Sequence, residues 1–165
     1  MEKLIVIIIA VLFSGYVVGI TVKFGILHSI SRSYYELEKK GKGFIFTLFL
    51  FAVSVLLTLY SAYIPVDGGL WFYFGGVGAA FTGAASMYYE RITGIVHYVA
   101  SGVLLAAPAI GLLVVFNNGW PLGLLSAGLI LAFIAYKKDI LRDTIIFWYE
   151  LYAFSLLIIN LYLSA

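Results

Sequence analysis

Cysteine is absent from this sequence of 165 residues, which excludes disulfides, thiolate metal sites and a cysteine nucleophile. Charged side chains are also scarce: they make up 11% of the residues, whereas soluble domains carry about 25%. The net charge of +2 gives no strongly basic surface, so we do not expect nucleic acid as a partner. Hydrophobic residues reach 64%, more than a soluble domain of this length can bury. We therefore expect the chain to be embedded in a lipid bilayer.

Long apolar runs make up most of the sequence. A helix needs about 20 apolar residues to cross roughly 30 Å of hydrocarbon, and six segments approach or exceed this length. The predicted spans are about 4–26, 44–64, 70–87, 95–116, 120–136 and 144–163. The sequence therefore predicts an all-α polytopic membrane protein, in which residues 1–165 form a single transmembrane domain, a six-helix bundle.

Lysine and arginine predict how the chain is threaded. Cytoplasmic loops of membrane proteins carry an excess of these residues. Nine of the ten flank the first, third and fifth connections, and Lys3 lies at the opposite end. We expect loops 1, 3 and 5 to be cytoplasmic and both termini to be non-cytoplasmic, in a plasma membrane or a bacterial inner membrane.

Small residues spaced four apart predict close helix packing in the third span, because they let two backbones approach each other. The rows are Gly75, Ala79 and Gly83, and Gly76, Ala80 and Ala84. We expect the third span at the centre of the bundle and the second near the lipid.

The first connection contains a helix-start pattern. Ser33 and Glu36 have the spacing of a capping box, in which the serine side chain caps the helix and the glutamate reaches back. This predicts a short amphipathic helix on the cytoplasmic interface, with Ser33 as its N-cap.

Two ionisable side chains fall inside the predicted spans, where a charge costs on the order of 2.5–3.5 kcal/mol. Glu150 lies about 9 Å into the last span at 1.5 Å per residue, and His97 lies at a comparable depth in the fourth. A carboxylate at this depth needs a hydrogen-bond partner or a proton, and a nearby histidine can supply either.

Helical phase places each of these residues in a polar stripe. At about 100° per residue, polar residues three and four apart on the fourth span share one sector with His97, and a second polar sector runs along the last span beside Glu150. If the stripes face each other below the first connection, they enclose a polar pocket open to the cytoplasm. The alternative is a purely structural polar network. The candidate ligand-binding residues are Glu150, His97, Tyr149, Tyr152, Ser101, Glu90, His28 and Arg32.

Signatures of enzymes are missing from the sequence. It contains no HExxH zinc motif, G-x-S-x-G elbow, P-loop or paired-carboxylate metal site. His28 and His97 could ligate a haem only if they approached each other across a cofactor slot. We therefore predict no catalytic residue, no metal and no cofactor, and we favour a protein that is not an enzyme.

The order of landmarks resembles that of the DRAM-like six-span membrane proteins and their bacterial relatives. The residues that carry the resemblance are Ile30 and Ser31 after the first span, Gly78 and Gly83 in the glycine-rich third span, and His97 near the start of the fourth. The resemblance covers most of the chain and implies a six-helix bundle with His97 at a shared polar position. It implies no catalytic role for any residue.

Our preferred hypothesis is a small membrane protein that binds or transports a small or lipid-like ligand through the cytoplasm-facing pocket. Glu150 and His97 would be its polar anchors. The alternatives are a non-catalytic membrane interaction subunit and a membrane-embedded enzyme. The expected partners are the lipid bilayer, a small-molecule or lipid ligand, and a second copy of the chain in a homo-oligomer.

Overall fold

The computed structural model describes the backbone of residues 1–86 and 90–165, and the side chains of these residues apart from 66 and 67. In that part of the chain all regular structure is helical, which confirms the predicted all-α fold. The helices in chain order are α1 (Glu2–Phe24), α2 (Ser33–Glu38), α3 (Phe44–Ser61), α4 (Val66–Ala84), α5 (Arg91–Phe116), α6 (Trp120–Lys137) and α7 (Ile145–Ser164).

Among the described residues, five helices are long and apolar enough to cross a membrane: α1, α3, α5, α6 and α7. Five such helices in one short chain indicate a multi-pass integral membrane protein. Helix α4 corresponds to the predicted third span but is not one of the five, so the count of six spans stays a prediction. The predicted end of that span, Met87, lies outside the described residues.

Helix bounds differ from the predicted spans by a few residues at several ends. Helix α1 ends at Phe24, because Gly25 adopts a positive φ of 76° that a continuing helix does not allow. Helix α5 begins at Arg91, four residues before the apolar run, because polar residues at a membrane surface can still be helical. Hydropathy therefore finds the apolar part of a helix rather than its hydrogen-bonded length.

Five helices pack into a closed ring. Helix α1 contacts α3, α3 contacts α4, α4 contacts α5, α5 contacts α7, and α7 returns to α1. Helix α6 packs against α5 and α7 from outside, and its buried residues are Pro121 and Leu125. Helix α3 buries large side chains such as Phe46 and Tyr60. The peripheral helix is therefore α6 rather than the second span, in contrast to the expectation from the sequence.

The small residues of α4 allow the closest packing in the ring. A Cβ atom added at Gly78 would lie 2.6 Å from the backbone nitrogen of Leu104 on α5. On the other side of α4, a Cβ atom at Gly76 would lie 2.9 Å from the backbone oxygen of Ser54 on α3. Both distances are too short for any side chain. The third predicted span is therefore held closely between α3 and α5, as its glycines predicted, but it is one member of the ring and not the centre of the bundle.

The predicted short helix is present as α2, but its capping is different. Arg32 stands at the N-cap position, and no side chain caps the helix. Ser33 is fully buried and its hydroxyl donates to the carbonyl oxygen of Ile30 at 2.6 Å. The predicted capping box is wrong, because Ser33 is turned into the bundle, where Tyr16 on α1 donates to its Oγ at 2.6 Å.

Candidate functional site

Residues 25–32, hereafter the 25–32 connection, close one end of the ring between α1 and α2. Ser29 and Ile30 are buried there. The start of α7 holds the connection from the side: the N–H of Phe147 donates to the carbonyl oxygen of His28 at 3.0 Å. The Nδ1 of His28 lies 3.0 Å from the carbonyl oxygen of Asp143 and donates to it. The connection is thus fixed to the start of α7 and the residues just before it by one backbone and one side-chain hydrogen bond.

Glu150 lies one turn further along α7 and turns its carboxylate toward this connection. The backbone N–H of Ile30 donates to Oε2 at 2.5 Å, and the backbone of Ser31 forms a second hydrogen bond with the carboxylate. Glu150 is partly buried. Two N–H groups therefore replace water as donors to a carboxylate, which has about four lone-pair positions for such bonds.

His97 on α5 is buried, with 3% of its surface exposed. Its Nδ1 lies 3.2 Å from the carbonyl oxygens of both Thr82 and Ala85. Carbonyl oxygens accept hydrogen bonds and cannot donate them, so Nδ1 carries the hydrogen. In the neutral ring Nε2 is then an acceptor, and the hydroxyl of Ser31, at 3.2 Å, donates to it. The neighbouring α4 carbonyls thus set the tautomer of His97.

Ser31 joins the two predicted anchors. Its backbone bonds Glu150 and its side chain bonds His97. Glu150 and His97 therefore occupy one level of the ring and share Ser31 as a neighbour. Each is held by a different helix, α7 and α5, and the 25–32 connection lies between them.

A cavity of about 40 Å³ lies inside the ring beside Glu150. Its polar lining comes from four residues of different elements: Ser31, Thr82, Ser101 and Glu150. The aromatic rings of Phe46, Phe49 and Phe154 form much of the remaining wall. At roughly 10–15 Å³ for each water molecule, this volume holds about three.

The hydroxyl groups at the far wall of the cavity bond each other. Thr82 donates to the carbonyl oxygen of Gly78 at 2.8 Å, which uses its one hydrogen. Its Oγ1 lies 3.3 Å from the Oγ of Ser101, so Ser101 is the donor in that contact. This links α4 to α5 at the level of the cavity.

One carboxylate and three hydroxyls thus line one interior space, and the neutral imidazole of His97 lies behind Ser31. No protein-family model, curated protein or solved structure matches this chain. Chemically, the group can hold a small polar ligand through Glu150 and the hydroxyls.

The structure separates the predicted site residues into two groups. Glu150 and Ser101 line the cavity, His97 reaches it only through Ser31, and His28 holds the connection that closes it. Tyr152 lies elsewhere: its hydroxyl donates to the carbonyl oxygen of Leu124 on α6 at 3.0 Å. Residues two apart on a helix point about 200° from each other, so an inward Glu150 turns Tyr152 outward.

The other predicted residues lie around the site rather than in it. Tyr149 packs, partly buried, against the hydrophobic core. Glu90 is exposed at the N-cap of α5, where its carbonyl oxygen accepts the N–H of Gly94. The guanidinium carbon of Arg32 lies 5.8 Å from the ring centroid of Tyr35 on α2. These positions are at or near the end of the ring, where the polar stripe of α5 runs out to the surface.

Two contributions to the site have little or no signal in the sequence. The backbone N–H of Ile30 is one, because every residue except proline has such a group. Thr82 is the other: it is a hydroxyl residue inside a span whose small residues predict packing.

A second depression lies on the outer surface between α4 and α5. This groove has a volume of about 340 Å³, and its described lining, which includes Val77, Phe81 and Val99, is apolar. In a bilayer it would face lipid tails. Without polar groups to orient a ligand, it contributes no chemistry to the site.

Proposed function

We propose that this protein binds or transports a small polar ligand through the cavity beside Glu150. The observation that carries the proposal is the Glu150 carboxylate, which is held inside the helix ring by the 25–32 connection with polar space next to it. A carboxylate in a membrane-spanning helix is costly, and such residues usually serve ion or substrate pathways. Ser31 and Ser101 complete the polar wall, and His97 supports Ser31.

The size of the cavity favours a small ligand over a lipid-like one. A volume of about 40 Å³ accepts a few atoms, whereas sites for drug-sized ligands have about 300–1,000 Å³. The aromatic wall leaves little space for a chain of carbon atoms without a rearrangement of the ring. The ligand class that we propose is therefore smaller than a lipid.

The cavity lies near the end of the ring where lysine and arginine concentrate, and we infer that this end faces the cytoplasm. Nine of the ten basic residues flank the connections at this end. The 25–32 connection separates the cavity from that side. Ligand entry from the cytoplasm therefore requires the connection to open, which would break the bonds of Ile30 and Ser31 to Glu150.

Thermal unfolding of the purified protein in detergent tests the proposal against a panel of small solutes, namely inorganic cations, amines, carboxylates and neutral polyols. A ligand stabilises the folded state that binds it, in proportion to the logarithm of its concentration. We expect at least one class to raise the unfolding temperature of the wild type but not of Glu150→Gln. Glu38→Gln, an exposed change of the same chemistry on α2, is the matched control. Equal responses of wild type and Glu150→Gln to every class would contradict the proposal.

A second candidate, a membrane-embedded hydrolase, has one observation in its favour: the Ser31 hydroxyl donates to the Nε2 of His97. However, the N–H groups of Ile30 and Ser31, which could stabilise an oxyanion, are bound to Glu150. The geometry therefore favours binding over hydrolysis. Covalent labelling of Ser31 by a fluorophosphonate, lost in His97→Ala, would favour the hydrolase instead.

A further inference from the structure

We propose that the cavity beside Glu150 takes a small monovalent cation, of the size of a sodium or hydronium ion. This inference rests on the proposed function and names its ligand class. The cation would be bound by the Glu150 carboxylate and by the hydroxyl oxygens of Ser31, Thr82 and Ser101, which line the cavity together.

The directions of the hydroxyl hydrogens carry this inference. Ser31 donates its hydrogen to the Nε2 of His97, because the α4 carbonyls hold the other ring hydrogen on Nδ1. Thr82 donates to the carbonyl oxygen of Gly78, and Ser101 donates to Thr82. Each of the three hydroxyls in the cavity wall has therefore given its one hydrogen to a protein acceptor. Lone pairs are what these groups can still offer a ligand.

The backbone donors near the cavity are also committed. The backbone groups of Ile30 and Ser31 bond the Glu150 carboxylate. The wall is mostly apolar, and its polar part consists of acceptors, one of which is a carboxylate. Such a site attracts a cation or a hydrogen-bond donor and repels an anion, because it has no hydrogen to donate without breaking an existing bond.

In the part of the chain that the structure describes, no ion pair joins Glu150 to a basic residue. Ion pairs there join Lys39 to Glu36 and Arg142 to Asp139, and all four residues lie outside the membrane-spanning helices. A buried carboxylate without a counter-charge is costly. A bound cation or a proton would neutralise it within the ring.

The size and composition of the cavity narrow the cation further. About 40 Å³ holds an ion with one or two water molecules, but not a large organic ammonium ion such as choline. Divalent ions are usually bound by several carboxylates, whereas Glu150 is the one carboxylate in this lining. Phe46, Phe49 and Phe154 present aromatic rings, which tolerate a cation.

The test uses the full-length protein purified in detergent, with sodium, lithium or potassium chloride replacing choline chloride at constant ionic strength, and at acidic and alkaline pH. We expect sodium or lithium, or acidification, to raise the unfolding temperature of the wild type above its value in choline chloride. The response should disappear in Glu150→Gln and persist in Glu38→Gln. Ser101→Ala should raise the half-saturating cation concentration on the order of tenfold, because it removes one oxygen ligand. Ser101→Ala also keeps the test decisive if Glu150→Gln does not fold.

Each outcome has a defined meaning. A sodium response at fixed pH that Ser101→Ala weakens identifies a metal cation, and a response to acidification that Ser101→Ala weakens identifies a hydronium ion; both support the inference. A response to acidification that Ser101→Ala leaves unchanged shows protonation of Glu150 itself and overturns the inference. An unchanged unfolding temperature in all the cations and pH values, or equal responses of wild type, Glu150→Gln and Ser101→Ala, overturns it. If a neutral or anionic solute stabilises the protein through Glu150 instead, the assignment of the ligand as a cation is wrong and the proposed binding function stands. If no solute acts through Glu150, both are wrong.

Discussion

Glu150 and Ile30 lie 120 residues apart in the sequence, yet the Glu150 carboxylate accepts the backbone N–H of Ile30 at 2.5 Å. This bond attaches the connection after α1 to the second turn of the last helix. Because α1 and α7 are neighbours in the ring, the bond closes one end of the bundle. The same carboxylate faces the cavity, so the closing contact and the proposed ligand share this one group.

Replacement of Glu150 should therefore cost stability according to whether an acceptor remains. Glu150→Ala leaves the N–H groups of Ile30 and Ser31 without their acceptor, which we expect to lower the free energy of unfolding by about 1–3 kcal/mol. Glu150→Gln keeps one carbonyl oxygen and should cost less. Unfolding in detergent with choline as the sole monovalent cation measures both without a contribution from bound sodium. Equal losses of stability in the two variants would show that Glu150 does not stabilise the protein by accepting these N–H bonds.

The Ser31–His97 contact predicts energetic coupling between the two side chains. In a double-mutant cycle of Ser31→Ala and His97→Ala, we expect a coupling free energy of about 0.5–1.5 kcal/mol, typical of one hydrogen bond. Ser126→Ala, on the exposed side of α6, should add to His97→Ala without coupling. A coupling for Ser31 as small as that for Ser126 would contradict the bond and the assigned tautomer of His97.

The ionisable residues of the site, whose placement inside a membrane-spanning helix is costly, could be predicted from the sequence. Their geometry could not. Glu150 and His97 stand out because an ionisable group inside an apolar run is rare. Helical phase, however, gives the sector of a residue and not the direction of the sector within the bundle. The grouping of Tyr152 with Glu150 went further than helical phase allows, because positions two apart point to nearly opposite sides of a helix.

The sequence likewise predicted some features of the helices well and others poorly. Apolar runs and turn residues located the long helices, and the glycines of α4 indicated its close packing, because both effects are local in sequence. The position of Ser33 depends on Tyr16 and Ile30, which are contacts made only in the fold. The capping-box pattern of Ser33 and Glu36 was present, but burial of the Ser33 hydroxyl took precedence over capping.

The α4–α5 contact predicts that glycines of this fold differ sharply in their tolerance of a methyl group. Gly78→Ala places a Cβ atom 2.6 Å from the backbone nitrogen of Leu104 and 2.7 Å from the carbonyl oxygen of Ala100. The helices must move apart, and we expect a loss of about 1–3 kcal/mol. Gly102→Ala on α5 is the control, since nothing lies within 4 Å of its Cβ position. It should be neutral or stabilising by up to about 1 kcal/mol, because alanine favours the helix. Similar unfolding temperatures for both variants would contradict the close approach.

The inferred orientation can be tested directly because the chain has no cysteine of its own. Lys39→Cys introduces one thiol beside α2, where the lysine side chain is 66% exposed, and Trp120→Cys introduces one at the opposite end, where the tryptophan is 77% exposed. A membrane-impermeant maleimide applied to intact cells should label Trp120→Cys and spare Lys39→Cys until the membrane is permeabilised, because positively charged loops stay in the cytoplasm. Labelling after permeabilisation is the control for thiol reactivity. The reverse pattern would place the 25–32 connection on the outer side, and a ligand would then reach Glu150 from outside the cell.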